Sequence, residues 1–232
     1  MLAFGNQNDF AGSSQSSNLT KPSDKNYFSR NIFQPPTLAN LYNEYTIELD
    51  KTINFVEFSH LDNSTDILAC GTQEHVYIFR ILFLNEKEDL NEELRFNYQF
   101  VRDYIIGSKA NSIAFSPKTD FSLAHNHIID FAIAGDDFCI LTLNQTVNDD
   151  STLENCNQQL IRGHTDYINS MAFEPNSGDL LASASDDCTC CVWSLINQEN
   201  SENPNLEMKI QLSSPGISVK WHVSEPNKVL IN

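Results

Sequence analysis

Beyond residue 44, apolar and polar residues alternate with a period of two over most of the chain. That period places successive side chains on opposite faces of an extended strand, whereas a helix would bring apolar residues back every three to four positions. The clearest run is Arg162 to Trp193, RGHTDYINSMAFEPNSGDLLASASDDCTCCVW. It predicts three strands, Ile168 to Phe173, Leu180 to Ser185 and Thr189 to Ser194. Pro175-Asn176-Ser177-Gly178 and Asp186-Asp187-Cys188 fall between them, and both are built from turn-forming residues.

The same pattern recurs. INFVEFSH (53–60) precedes ILACGTQEHVYIF (67–79), ANSIAFSP (110–117) precedes IDFAIAGDDFCILTL (129–143), and SPGISVKWH (214–222) opens a fourth unit. Phe58, Phe115, Phe173 and Trp221 share one first-strand position and are expected to anchor the core between neighbouring units. Repetition of this kind marks an architecture whose units cannot cover their own faces. The Gly-His pair, the Asp-containing turn and the closing Trp have the spacing of a WD40 repeat, roughly 40–45 residues. The expected fold is therefore all-β: an incomplete WD40 β-propeller over residues 44–232, with about three and a half blades in repeats of approximately 45–105, 106–159, 160–200 and 201–232. Tyr45 to Leu49 resembles the strand that closes such a ring. The chain stops inside the fourth unit, where a second strand is expected at Lys228 to Asn232, so it reads as a fragment, a shortened isoform or a partial gene model.

A polar side chain buried inside a blade needs a partner. WD40 repeats supply one through a chain of hydrogen bonds from Trp to Ser or Thr, to His, to the Asp of the tight turn. The matching residues are Trp193, Ser183 or Ser185, His164 and Asp187. The third repeat alone keeps this set. Phe79 stands in for Trp in the first, and Leu143 or Leu141 in the second, so apolar packing is expected to hold those two blades. His164 and Asp187 also make two-thirds of a catalytic triad, but no GxSxG or other nucleophile signature accompanies them.

Composition narrows the function. The net charge of -17 repels phosphate backbones and anionic membrane surfaces, and the longest apolar stretch, Val76 to Leu84, is interrupted by Arg80 and too short to span a bilayer, so direct nucleic-acid binding and membrane insertion are not expected. The N-terminus has no basic and apolar segments of the signal-peptide kind. Cys70, Cys139, Cys156, Cys188, Cys190 and Cys191 sit mostly in predicted strands and fit a reducing compartment. Alternation points Cys190 and Cys191 to opposite faces, so the cluster is not expected to bind zinc. Asp136-Asp137, Asp149-Asp150 and Asp186-Asp187 read as turn formers rather than acid–base pairs, and His125-Asn126-His127 as a surface loop. Asn85 to Glu93 and Asn197 to Asn205 read as solvated loops between blades. Residues 1–43, rich in Asn, Ser and Gln, are expected to form a disordered polar tail. No enzyme activity, metal or cofactor is expected.

GHTDYIN (163–169), DDCTC with VW (186–193) and above all SPGISVKWH (214–222) resemble the WD40-repeat nucleoporins of the Y-shaped outer-ring subcomplex of the nuclear pore, the thirty-seven-kilodalton nucleoporin family. YTIELD and VEF (45–58) fit the start of its first blade. The resemblance covers about residues 45–232 and lacks the family's later blades. It implies a scaffold in the nucleus, at the nuclear envelope, that supports pore assembly and transport and visits kinetochores in mitosis. Its partners would be other Y-complex nucleoporins, chiefly the largest arm nucleoporin, a propeller joined to a helical solenoid. The rival reading is a generic WD40 adaptor, either a ubiquitin-ligase substrate receptor or a chromatin-associated scaffold. Receptors of the first kind tend to place Arg two residues after the WD dipeptide, and Trp193-Ser194-Leu195-Ile196 lacks it.

Overall fold

A computed structural model describes residues 2–4, 45–83, 96–122, 126–148, 156–196, 205–225 and 227–232. Three four-stranded antiparallel sheets follow one another along the chain. The first comprises β3 (Phe55–Phe58), β4 (Ile67–Gly71), β5 (His75–Phe83) and β6 (Phe96–Ile105). The second comprises β7 (Ala110–Phe115), β8 (Asn126–Gly135), β9 (Ile140–Asn148) and β10 (Asn157–Ile161). The third comprises β11 (Ile168–Phe173), β12 (Leu180–Ser185), β13 (Thr189–Ser194) and β14 (Asn205–Gln211). A two-stranded sheet, β15 (Val219–Trp221) with β16 (Val229–Ile231), follows, and another pairs β1 (Leu2–Phe4) with β2 (Tyr45–Ile47). Strand order matches chain order in every sheet, as short connections between antiparallel neighbours require. The result is three and a half blades.

The strands β11, β12 and β13 coincide residue for residue with those read from the alternating pattern. Val229–Ile231 is the expected second strand of the last unit. The loops at 85–93 and 197–205 are not between blades: β5 pairs with β6 and β13 with β14, so each joins the third and fourth strands of one sheet. The sheets run 55–105, 110–161 and 168–211, so the first two fall within the first two sequence repeats to within two residues, and β14 extends the third sheet past residue 200 into the expected fourth unit. Asn126 and His127 belong to β8 rather than to a loop, and the His127 ring stacks on Phe121 at 4.7 Å. His125 and the Asp149-Asp150 pair lie outside the described residues, as does the expected tail apart from the Leu2–Phe4 strand within it.

Alternation decides which blade each residue touches. Leu181, Cys191 and Trp193 pack against Ala132, Ala134, Ile140 and Ile161 of the second sheet. Their neighbours Ala182, Ala184, Cys190 and Val192 pack on the other face with Val219 of β15. Cys190 and Cys191 thus belong to different clusters, and no group of metal-ligating side chains forms among the described residues. Between the first and second sheets lie Ile67, Ile78, Ile113, Phe131, Ile133 and Leu143. Full burial of one such side chain contributes about 1.5–3 kcal/mol. Ile47 of β2 covers the remaining face of the first sheet with Leu68, Phe79 and Ile81. Phe58, Phe115, Phe173 and Trp221 are each the last residue of their first strand and pair with Leu68, Phe131, Leu181 and Val229 of the second. Each lies on the face turned to the preceding strands.

Candidate functional site

The buried polar network of the third blade is assembled from four places. His164 lies in the loop before β11, Ser183 in the middle of β12, Asp187 in the turn between β12 and β13, and Trp193 near the end of β13. The three-residue turn Asp186-Asp187-Cys188 places Cys188 at φ 61°, the left-handed geometry of such hairpin loops, and the matching turn of the second blade places Phe138 at φ 62°. Gly163 has a packing reason. A Cβ there would stand 2.6 Å from Cη2 of Trp193, so a larger residue would push the ring from its seat.

The hydrogen bonds run in one line. Trp193 Nε1–H donates to Ser183 Oγ at 2.8 Å. Ser183 Oγ lies 2.7 Å from His164 Nε2, and His164 Nδ1 lies 2.9 Å from Asp187 Oδ2. Because the serine oxygen already accepts from the indole, its own proton points to Nε2, which leaves the His164 proton on Nδ1, facing the carboxylate. Asp187 Oδ1 also accepts from the Thr189 hydroxyl (2.6 Å) and amide (2.9 Å), and Oδ2 from the Thr165 amide (3.1 Å). Burial pushes the Asp187 carboxyl up, but these donors, Thr189 and His164 foremost, outweigh it and hold the carboxyl well below the usual carboxylate range. Burial likewise pulls the His164 imidazole below its ordinary 6.5, against the opposing hydrogen bond and charge of Asp187, so it is neutral at pH 7.

Of the two candidate serines, Ser183 joins this line and Ser185 does not. Ser185 Oγ donates to the Asp166 carbonyl at 3.2 Å and accepts from the Asp187 amide at 3.1 Å, bracing the turn that carries the carboxylate. Ser183, His164 and Asp187 have the order and spacing of a serine-hydrolase triad, yet Ser183 is 0% exposed and its hydroxyl is already shared between Trp193 and His164. A nucleophile must reach its substrate. This arrangement instead saturates buried donors and acceptors and ties a loop, two strands and a turn into one unit.

The other blades replace the network position by position. Register puts Phe79 and Leu143 where Trp193 stands, opposite Leu68 and Phe131 as Trp193 is opposite Leu181. Leu143, not Leu141, is thus the equivalent residue. Ile133 and Cys70 take the Ser183 position. Two polar links in these blades had no motif to mark them. Tyr104 of β6 donates to Gln145 of β9 at 3.0 Å, joining the first blade to the second in the core. Asp130 of β8 is buried, with Asn144 donating to its carboxylate at 3.0 Å and Thr119 Oγ1 to its carbonyl at 2.6 Å. The available signal was a polar residue amid apolar neighbours, as in IIDFAIAG. At the blade surfaces, Lys118 pairs with Asp179 at 2.7 Å between the second and third sheets.

The WD domain, G-beta repeat family matches residues 155–194, which hold all four members of the network. Across 189 residues, 81% of this chain, the sequence is 29% identical to nucleoporin Nup37 of Homo sapiens and 28% identical to that of Mus musculus. It is 31% identical over 192 residues to nucleoporin Nup37 of Drosophila melanogaster. The chain is a Nup37-like WD40 protein. It spans about half the length of these relatives, 53–54% of each. Among solved structures, a chain of an active polycomb repressive complex 2 in the basal state superposes with a TM-score of 0.51 at 22% identity, over 77% of this chain and 34% of that one. That likeness concerns the propeller fold. In this Nup37-like chain no helix among the described residues is long and apolar enough to cross a membrane.

Proposed function

We propose that this chain is a non-enzymatic scaffold of the nuclear pore complex, acting in the Y-shaped outer-ring subcomplex through protein–protein docking. The observation that carries this reading is the extent of the likeness to Nup37. It runs over 189 residues in two mammals and 192 in a fly, far more than the 40-residue repeat that WD40 proteins have in common. The blades suit such a role. The turns among the described residues are set by hydrogen bonds before any partner arrives, so little ordering entropy opposes association there. The network at Ser183 contributes rigidity, not chemistry.

The partner in this reading is the largest arm nucleoporin with its Y-complex neighbours, and the location is the nuclear envelope, with kinetochores in mitosis. The test is affinity purification of the tagged 1–232 chain from its own cells with quantitative mass spectrometry. Y-complex nucleoporins in near-equal amounts are the expected result. Recovery of a cullin ligase or a chromatin assembly in their place would overturn the nuclear-pore reading and leave the WD40 fold standing.

A further inference from the structure

The turns between second and third strands and the loops between sheets meet at one end of the blades. Backbone amides tie them together: Asp136 donates to the Lys109 carbonyl at 3.0 Å and Asp186 to the Tyr167 carbonyl at 2.9 Å. At this end, on the seam between the second and third sheets, the Phe138 and Tyr167 rings stand edge to face, 5.2 Å apart at 88°. Phe138 is half-buried, and Tyr167 is 47% exposed, the one Phe, Tyr or Trp among the described side chains so open to solvent. Phe138 sits at φ 62°, a left-handed position that Gly or Asn fills at lower cost. Folding gains little from a bulky ring there, because the ring it touches is itself half in water.

Carboxylates frame the pair. Asp136 and Asp137 precede Phe138 in its turn, Asp166 precedes Tyr167, and the Asp186 amide holds the Tyr167 carbonyl. Each carboxylate accepts one local hydrogen bond at Oδ1. The donors are the amides of Lys109, Cys139 and Tyr167, at 3.2, 3.3 and 2.8 Å, and Asn169 Nδ2, at 2.6 Å. These bonds fix the groups in place, and among the described residues no lysine or arginine side chain pairs with any of the four. The basic residues of the same loops are Lys109 and Arg162, and the Arg162 guanidinium donates instead to Cys139 Sγ at 3.1 Å. Asp137 also lines a shallow cleft with Ile106, Ser108 and Leu160, between the first and second sheets.

We propose that this seam docks an extended, arginine-bearing segment of a protein partner. A guanidinium is planar and always charged, so it lies flat on an aromatic face while its N–H groups reach the flanking carboxylates. An edge-to-face pair spends only one ring face, and the faces that remain carry the negative side of the ring quadrupole. The cleft beside Asp137 receives an apolar neighbour of the arginine along the segment. A lysine ammonium brings the same charge without the flat, forked group that stacks and bonds at once. The surface lies between two complete sheets and does not depend on the nuclear-pore reading, because affinity purification reads the assembly and a peptide reads the seam.

Fluorescence anisotropy on the 232-residue chain tests this, with a labelled peptide of alternating Gly and Arg and its counterpart of Gly and Lys. The arginine peptide should bind, and bind more tightly than the lysine peptide. Tyr167→Ala, Phe138→Gly and Asp136→Asn should each weaken it at least about threefold. Asp62→Asn and Val223→Ser, exposed in loops at the opposite end, should leave it unchanged. Phe138→Gly also relieves the left-handed backbone, so its thermal midpoint should hold or rise while binding falls. A lower midpoint would make the ring a structural element and overturn its docking role. No binding by the parent chain, equal affinity for the two peptides, or the same loss in Asp62→Asn as in Asp136→Asn would overturn the proposal.

Discussion

The indole N–H of Trp193 reaches diagonally across β12 and β13 to the Ser183 hydroxyl, 2.8 Å away, while Ser183 itself is opposite Cys191. That one contact sets the direction of every other bond in the line. It commits the serine proton to His164 and the imidazole proton to Asp187, whose carboxylate is held in its charged form by its own donors, Thr189 and His164 foremost. The network behaves as a single unit whose members depend on one another.

Asp187→Ala removes the acceptor for His164, the Thr189 hydroxyl and amide, and the Thr165 amide at once. A stranded buried partner costs about 1–3 kcal/mol. Urea denaturation should show a loss at least that large, and an unchanged midpoint would remove the network from the account of stability.

Stability should fall on acidification in two windows. The folded His164 titrates below 6.5, so between that value and its folded value the unfolded chain binds more protons and stability is lost as pH drops. Asp187, held below 3.8, adds a second loss beneath that pH. Unfolding free energies measured from pH 7.5 to 5 should decline in the parent chain and decline less in His164→Gln. Parallel curves would show that His164 is not buried neutral.

Gly163→Ala forces a methyl group to within 2.6 Å of the Trp193 ring. Overpacking of this kind costs about 1–3 kcal/mol. The near-ultraviolet dichroism of the indole should change with the thermal midpoint; a variant with parental stability and spectrum would contradict the close approach.

Tyr104→Phe deletes the bond to Gln145 that crosses from the first blade to the second. The expected loss is about 0.5–1.5 kcal/mol. A double-mutant cycle with Gln145→Leu should show the two changes to be non-additive, and strict additivity would mean the residues are not coupled.

Thiol labelling should divide the cysteines by burial. Burial raises the Cys70 thiol to about 12 and the Cys190 thiol to about 11, and both are fully buried. Cys156 and Cys188 are partly exposed. In the folded chain, Cys156 and Cys188 should react with an aromatic disulfide reagent, and Cys70 and Cys190 only after denaturant is added. Early labelling of Cys190 would show that the third blade opens.

Sequence by itself determined the strand character, the turns and the repeat, because a period of two and a Gly, Pro or Asp in a turn act within a few residues of chain. It also named His164, Asp187 and Trp193 as one set. It left Ser183 and Ser185 equal, and Leu141 and Leu143 equal, for a single reason: residues two apart share a face, so alternation cannot rank them. Register does. Pairing of β12 with β13 and the arrival of the His164 loop select Ser183, and pairing of β8 with β9 selects Leu143. The assignment of β14 to the third sheet rather than to the fourth unit, and the contact of Tyr104 with Gln145 across 41 positions, likewise belong to the tertiary structure. They depend on which distant strands find each other in space, and no local pattern of side chains encodes that distance.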